Sequence, residues 1–207
     1  VDLETTGLDG RWGALAFLVG TAFVDGTRLV VRQYLLEDPA AEAQMLREVR
    51  AHLDDYRGLV TYNGTTFDLP FLQARLDIHG LGEGFPPGHH LDLLKVARRR
   101  WRADLPSCRL RTVEEHLLGL GRLGDVEGRQ IPGIYQRYLA SGDRGLLRPI
   151  LFHNHLDVKS MVALTILAAA PEAEYLVGGE VTAVSPADWS PGPGFPRAGR
   201  GGKRRGA

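Results

Sequence analysis

The chain has 207 residues, 43% of them apolar and 24% charged, with 25 basic and 25 acidic side chains balancing to zero. That size and composition suit one globular domain, alone or with a tail, and exclude a chain disordered throughout. The lone cysteine, Cys108, excludes an intrachain disulfide framework and a multi-cysteine zinc site, and the longest apolar run, 161–170, falls short of the ~20 residues of a membrane span.

No charged leader precedes an apolar stretch, so a soluble cytoplasmic protein is expected. The zero balance hides an asymmetry. Residues 185–207 carry five basic side chains and one acid, which leaves residues 1–184 with 20 basic and 24 acidic. A surplus of acids in the body suits a bound divalent cation. The Pro-, Gly- and Arg-rich stretch 185–207 cannot bury enough to order itself. It reads either as a basic arm for nucleic acid or as a solubilising terminus.

In chain order, residues 1–4 look like the end of a strand. Residues 14–24 are apolar and β-prone, Asp25-Gly26 signals a hairpin, and 28–36 returns as a strand. Pro39 opens a helical stretch to about Tyr56, with Ala40, Ala43, Leu46, Val49 and Leu53 at helical spacing. Residues 58–62 form a short strand, 63–66 a turn, and 67–79 a helix striped by Leu69, Leu72 and Leu76. Further helices are expected over 91–101, 112–118 and 134–139, and a long one, or a broken pair, over 146–170. This order predicts an α/β fold, a mixed sheet with helices on its faces. Buried strands usually run ~5–6 residues. With one residue before Asp2, the domain over 1–184 is expected to lack its N-terminal part.

Three motifs carry chemistry. In Asp2-Leu3-Glu4-Thr5-Thr6-Gly7, the strand's period of two sets Asp2 and Glu4 on one face and Leu3 on the other. Carboxylates so close repel unless a cation lies between them, and Mg²⁺, which prefers oxygen ligands, suits the pair. The plainer alternative is a solvated strand end. In Tyr62-Asn63-Gly64-Thr65-Thr66-Phe67-Asp68, a strand leads through a turn into a helix, with Asp68 in the first turn as a ligand or a cap. In His153-Asn154-His155-Leu156-Asp157, His153 and Asp157 share a helix face beside an apolar stripe, as a catalytic pair or a hydrogen-bonded core pair.

Taken together, Asp-x-Glu, then Asn-x-x-x-Phe-Asp, then His-x-x-x-Asp resembles the DEDD (DnaQ-like) 3′–5′ exonuclease superfamily of the ribonuclease H-like fold. The likeness extends to the YprB-type ribonuclease H-like family over residues 1 to about 170, through His90-Leu91-Asp92-Leu93-Leu94, Leu105-Pro106-Ser107-Cys108-Arg109-Leu110, and 128–138 with Ile131-Pro132 and Tyr135. The resemblance implies Asp2, Glu4, Asp68 and Asp157 as ligands of two Mg²⁺ or Mn²⁺ ions. It puts His153 where a residue orients or deprotonates the attacking water. One subclass has Tyr four residues before the last Asp and the other His five before it; here His stands at the four-residue spacing and Phe152 lies five back. The implied activity is 3′–5′ exonucleolytic hydrolysis of single-stranded DNA or RNA. A structure-selective endonuclease and a non-catalytic nucleic-acid-binding module are the alternatives.

Three other signals are read plainly. Gly119-Leu120-Gly121-Arg122-Leu123-Gly124 spells a dinucleotide fingerprint but follows a helix rather than a strand, so it reads as a helix stop and loop. Lys95, Arg98, Arg99, Arg100 and Arg102 crowd one helix, as a phosphate track or a solvated face. Cys108 is expected to be a small buried residue.

Overall fold

The computed structural model describes residues 1–86, 88–170 and 182–184; the expected basic tail, 185–207, lies outside the described residues. Strands β1 (Asp2–Thr5), β2 (Ala16–Asp25) and β3 (Arg28–Leu35) form an antiparallel sheet with β2 in the middle. Asp25 pairs with Arg28, which makes a two-residue hairpin loop, and Gly26 takes the positive φ of +61° that such a turn needs. Strand β4 (Gly58–Thr61) pairs in parallel with β5 (His89–Asp92). The Val1 nitrogen donates to the Val60 carbonyl at 2.7 Å, which sets the start of β1 against β4.

The helices are α1 (Glu42–Asp54), α2 (Asp68–Ile78), α3 (Leu93–Arg100), α4 (Leu110–Val113), α5 (Ile131–Ser141) and α6 (Leu147–Ala169). Asp38 caps the turn that leads into α1 by accepting from the Ala40 N–H at 2.9 Å, and Pro39 follows it. Apolar residues gather into two clusters. The larger joins Leu3 and Phe17 of the sheet to Leu46 and Val49 of α1, Leu72 and Leu76 of α2 and Tyr135 of α5. Tyr135 stacks on Phe17 with ring centroids 3.8 Å apart, and its hydroxyl donates to the Leu36 carbonyl at 2.6 Å. The second cluster joins Leu93, Val96, Ala97 and Trp101 to Val113. Helix α6 belongs to both, through Leu147, Ile150 and Leu151 in the first and Val158, Met161 and Leu164 in the second. The segment 153–157 sits at the handover between them.

The α/β architecture and its element order agree with the sequence-based expectation, with three departures. Residues 89–92, in part expected to open the 91–101 helix, form β5 instead. Gly58, opposite His89, explains the close pairing, because a Cβ there would lie 2.9 Å from the His89 carbonyl oxygen. The expected 112–118 helix starts earlier, at Leu110, and widens into a π-helical turn over Glu114–Leu118. Gly119, left-handed at φ +60°, ends it as read, but Leu120–Arg122 is then a strand (β6) paired in parallel with Thr182–Val184 (β7), not a loop. Trp101 is buried, whereas Cys108, expected to be buried, is half-buried. Among the described residues, no helix is long and apolar enough to cross a membrane.

Candidate active site

Asp2 stands opposite Gly20 of β2, and Gly20 stands opposite Gln33 of β3, so one row crosses three strands. Helix α6 lays the side chain of Asn154 along this row. The Asn154 Nδ2 donates to the Asp2 carboxylate at 2.9 Å, and its Oδ1 accepts from Gln33 Nε2 at 2.8 Å. Gln33 also donates to the Leu151 carbonyl at 2.8 Å. Gly20 is required by this approach, since a Cβ there would lie 2.2 Å from the Asn154 Oδ1. Leu3, between the two acids, turns the other way and is buried.

Asp68, the first residue of α2, reaches back to this strand. Its Oδ1 accepts the backbone N–H of Leu3 at 3.1 Å, so it acts across the sheet rather than as a helix cap alone. The loop that delivers it is pinned by Asp92, which accepts from Asn63 N–H at 2.9 Å and Thr65 N–H at 3.1 Å while capping α3 through Leu94 N–H at 3.1 Å. Asn63 holds a left-handed φ of +68°, a conformation asparagine tolerates. Asp92 is therefore both the helix-entry residue of α3 and a brace for the neighbouring loop.

Asp157 and His153 lie one turn apart on α6, with His153 Nε2 3.7 Å from Asp157 Oδ2. The His153 Nδ1 bonds Asp125 Oδ2 at 2.8 Å. Arg122 of β6 joins the group: it pairs with Glu114 through Nε at 2.7 Å and Nη2 at 2.5 Å, with Asp125 at 3.2 Å, and with Asp157. Arg122 and Glu114 are almost wholly buried.

The four acids of the motifs are close enough to feel one another. Burial first, then the charges of Asp157 and Asp68, pushes the Asp2 carboxyl well above its ordinary range. Burial does the same for Glu4, reinforced by Asp2, Asp157, Asp68 and Asp125. Burial raises Asp68 to about 6 against the opposing Leu3 N–H bond. Burial would lower His153, but the Asp125 bond and the Asp157 charge outweigh it and raise it. Burial would raise Asp125, but its bond from His153 and its pairing with Arg122 hold it low. The carboxylates thus act on one another electrostatically, yet no three His, Cys, Asp or Glu side chains among the described residues are arranged to hold an ion. Asp2 is turned onto Asn154, Asp68 onto the Leu3 amide and Asp157 onto Arg122.

Asn154, Gln33, Arg122, Glu114 and Asp125 were not singled out as site residues by sequence. Asn154 lies inside the His153–Asp157 motif, and its apolar surroundings on α6 were its one signal. Arg122 and Asp125 fall in and after a glycine-rich segment that reads as a loop. Their partners lie 35 and 28 residues away in sequence, beyond any local pattern.

Antiparallel β1-β2-β3 beside parallel β4-β5, with helices packed against them and acids near β1, suits a ribonuclease H-like α/β protein. The RNase_H superfamily model matches residues 1–169, and the chain belongs to that superfamily. It is also 38% identical over 166 residues to "Uncharacterized protein YprB" of Bacillus subtilis (strain 168), a match covering 80% of this chain. The chain accounts for 40% of that protein's length. The superfamily in general contains phosphodiesterase nucleases that act on nucleic acid and usually use divalent metals.

Proposed function

We propose that this domain is a metal-dependent nuclease, a 3′–5′ exonuclease that hydrolyses single-stranded DNA or RNA by a two-metal-ion route. Asp2, Glu4, Asp68 and Asp157 are its ligands in this reading, and His153 takes the proton of the attacking water. One observation supports it: the charges of Asp68 on α2 and Asp157 on α6 add to burial in pushing the Asp2 and Glu4 carboxyls of β1 upward. The donors fit a hard cation, because all four are carboxylates and their mutual repulsion is relieved by positive charge. Mg²⁺ or Mn²⁺ held by these carboxylates would stabilise charge on the attacking and leaving oxygens.

The protein's own groups do the rest. Asn154 and Gln33 hold the Asp2 carboxylate in one orientation. A carboxylate can only accept, so the bond at Asp125 keeps the proton on His153 Nδ1. That leaves Nε2 beside Asp157 as the atom able to receive a proton from water. Arg122 pairs with Glu114, Asp125 and Asp157 and so ties β6 and its following loop to α6.

The test is a panel of end-labelled single-stranded DNA, single-stranded RNA and duplex DNA, each with Mg²⁺, Mn²⁺ or EDTA. The reading expects a ladder shortening from the 3′ end with metal, none with EDTA, and none for Asp2→Ala although that variant still binds. Cleavage unchanged in Asp2→Ala would overturn it. The Arg122–Asp157 pair favours a second reading, a module that binds nucleic acid without cutting it. Binding without cleavage in every metal arm would select that one.

A further inference from the structure

A cleft of about 700 Å³ opens beside the candidate site, between α3 and the segment that leads into α4. Arg98, Arg102 and Arg109 line it, and no carboxylate does among the described residues. Three guanidinium groups without a counter-charge are unusual in a body whose residues 1–184 carry more acids than bases. The same cleft has an apolar side made by Tyr62, Leu105 and Pro106. Tyr62 is held there by its hydroxyl, which donates to the Cys108 carbonyl at 2.7 Å. Arg109 and Leu110 also line a second cleft, of about 500 Å³, whose walls include His153, Asp157 and Asp125. The two clefts thus adjoin at Arg109 and Leu110, and a strand passing over that shared edge would meet the charged side, the apolar side and the acids in turn.

We propose that this groove is the track of a single nucleic-acid strand leading to the carboxylates, with Arg98, Arg102 and Arg109 on its phosphates and Tyr62, Leu105 and Pro106 against its bases. The inference rests on the nuclease reading of the adjoining site and adds where the strand lies and which side chains hold it. The chemistry is specific in two respects. Free phosphate or an acidic peptide would use the arginines but leave the apolar side uncovered; a nucleotide strand presents both a charged edge and flat apolar faces. A duplex hides its base faces in the stack, so only unpaired bases can lie on Tyr62. Of the five basic residues crowded around α3, Arg98 and Arg102 face the groove, whereas Arg100 turns to donate to the Ala168 carbonyl.

The test is equilibrium binding of fluorescent oligo-dT and oligo-U, in EDTA so that nothing is cut, over a range of salt concentrations. Each lost phosphate contact should flatten the slope of log affinity against log salt by ~0.7. Arg98→Ala/Arg102→Ala should therefore lose ~1.4 from the slope and Arg109→Ala ~0.7, while Arg99→Ala, on the same helix, should lose nothing. Thermal melts of each variant show that the fold is kept, and Arg98→Glu/Arg102→Glu should weaken binding further. The DNA and RNA arms show which backbone the groove takes, and loss of slope in either supports the track. An unchanged slope in the arginine variants, an equal loss in Arg99→Ala, or tighter binding of a duplex of the same length overturns it. Track-dependent binding with no cleavage in metal would refute the nuclease reading and leave the track standing; cleavage with an unaffected slope would do the reverse.

Discussion

Gly20→Ala is the sharpest probe of how the site is built. The added methyl would stand 2.2 Å from Asn154 Oδ1 and 2.7 Å from its Cγ and Nδ2. That is far inside the ~3.5 Å at which non-bonded heavy atoms attract. Asn154 is fully buried, so it can yield only by withdrawing from the row it spans. Withdrawal breaks its bond to Gln33, worth ~1 kcal/mol, and its bond to the Asp2 carboxylate, worth ~2 kcal/mol. Replacing a strand glycine restores ~0.5–1 kcal/mol. The net cost is ~2 kcal/mol, read as a shift in urea midpoint at constant slope. A double-mutant cycle isolates the cause. Asn154→Ala alone should destabilise, and Gly20→Ala added to it should be close to neutral, because the clashing group is gone. Costs that simply add, or a Gly20→Ala midpoint equal to that of the parent, would refute this account of the row.

Glu42 tests the far side of the fold, where it is buried and paired with Arg75 at 2.5 Å and His79 at 2.8 Å. Burial would raise its pKa, but those two partners bring it below the ordinary 4.5. A lowered folded pKa means stabilisation that is present above the unfolded value and lost as pH falls through the folded one. Glu42→Gln should therefore cost ~3 kcal/mol at neutral pH, and the gap between the two proteins in urea midpoint should close as pH drops below 4.5; a gap constant with pH would contradict it. Arg122→Met strands Glu114 and Asp125 in the interior and should cost ~3–5 kcal/mol, a melting temperature lower by roughly 10 °C; an unchanged melt would show that the cluster is not coupled to folding. His153→Ala should lower turnover by ~10²–10⁴-fold with little change in melting, whereas normal turnover with a lower melting temperature would make His153 a core residue.

Much of the fold is legible because its elements announce themselves locally. The Asp25-Gly26 turn between two β-prone runs marks the β2–β3 hairpin, and the leucine stripe at 69, 72 and 76 marks α2. Strand β5 is not legible, because His89-His90-Leu91-Asp92 has no alternation of apolar and polar residues and its pairing depends on Gly58, 31 positions earlier. The same holds at the candidate site. Alternation places Asp2 and Glu4 on one face, and helical spacing places His153 over Asp157. The groups that orient them are hidden by distance along the chain: Gln33 meets Asn154 across 121 residues and Arg122 meets Asp157 across 35. The glycine fingerprint at 119–124 even draws attention away from Arg122, since its apparent meaning is a nucleotide loop and its role here is to end a helix and begin β6.

The central claim is that Asp2, Glu4, Asp68 and Asp157 hold divalent ions for phosphodiester hydrolysis. Titration of the protein with Mn²⁺, followed by the electron paramagnetic resonance signal of the free ion, tests it without needing the right substrate. The account predicts two ions bound per chain, fewer than one in Asp2→Asn and in Asp157→Asn, and release of the ions by EDTA. Stoichiometry and affinity unchanged by either substitution, or no binding at all by the folded parent, would contradict it.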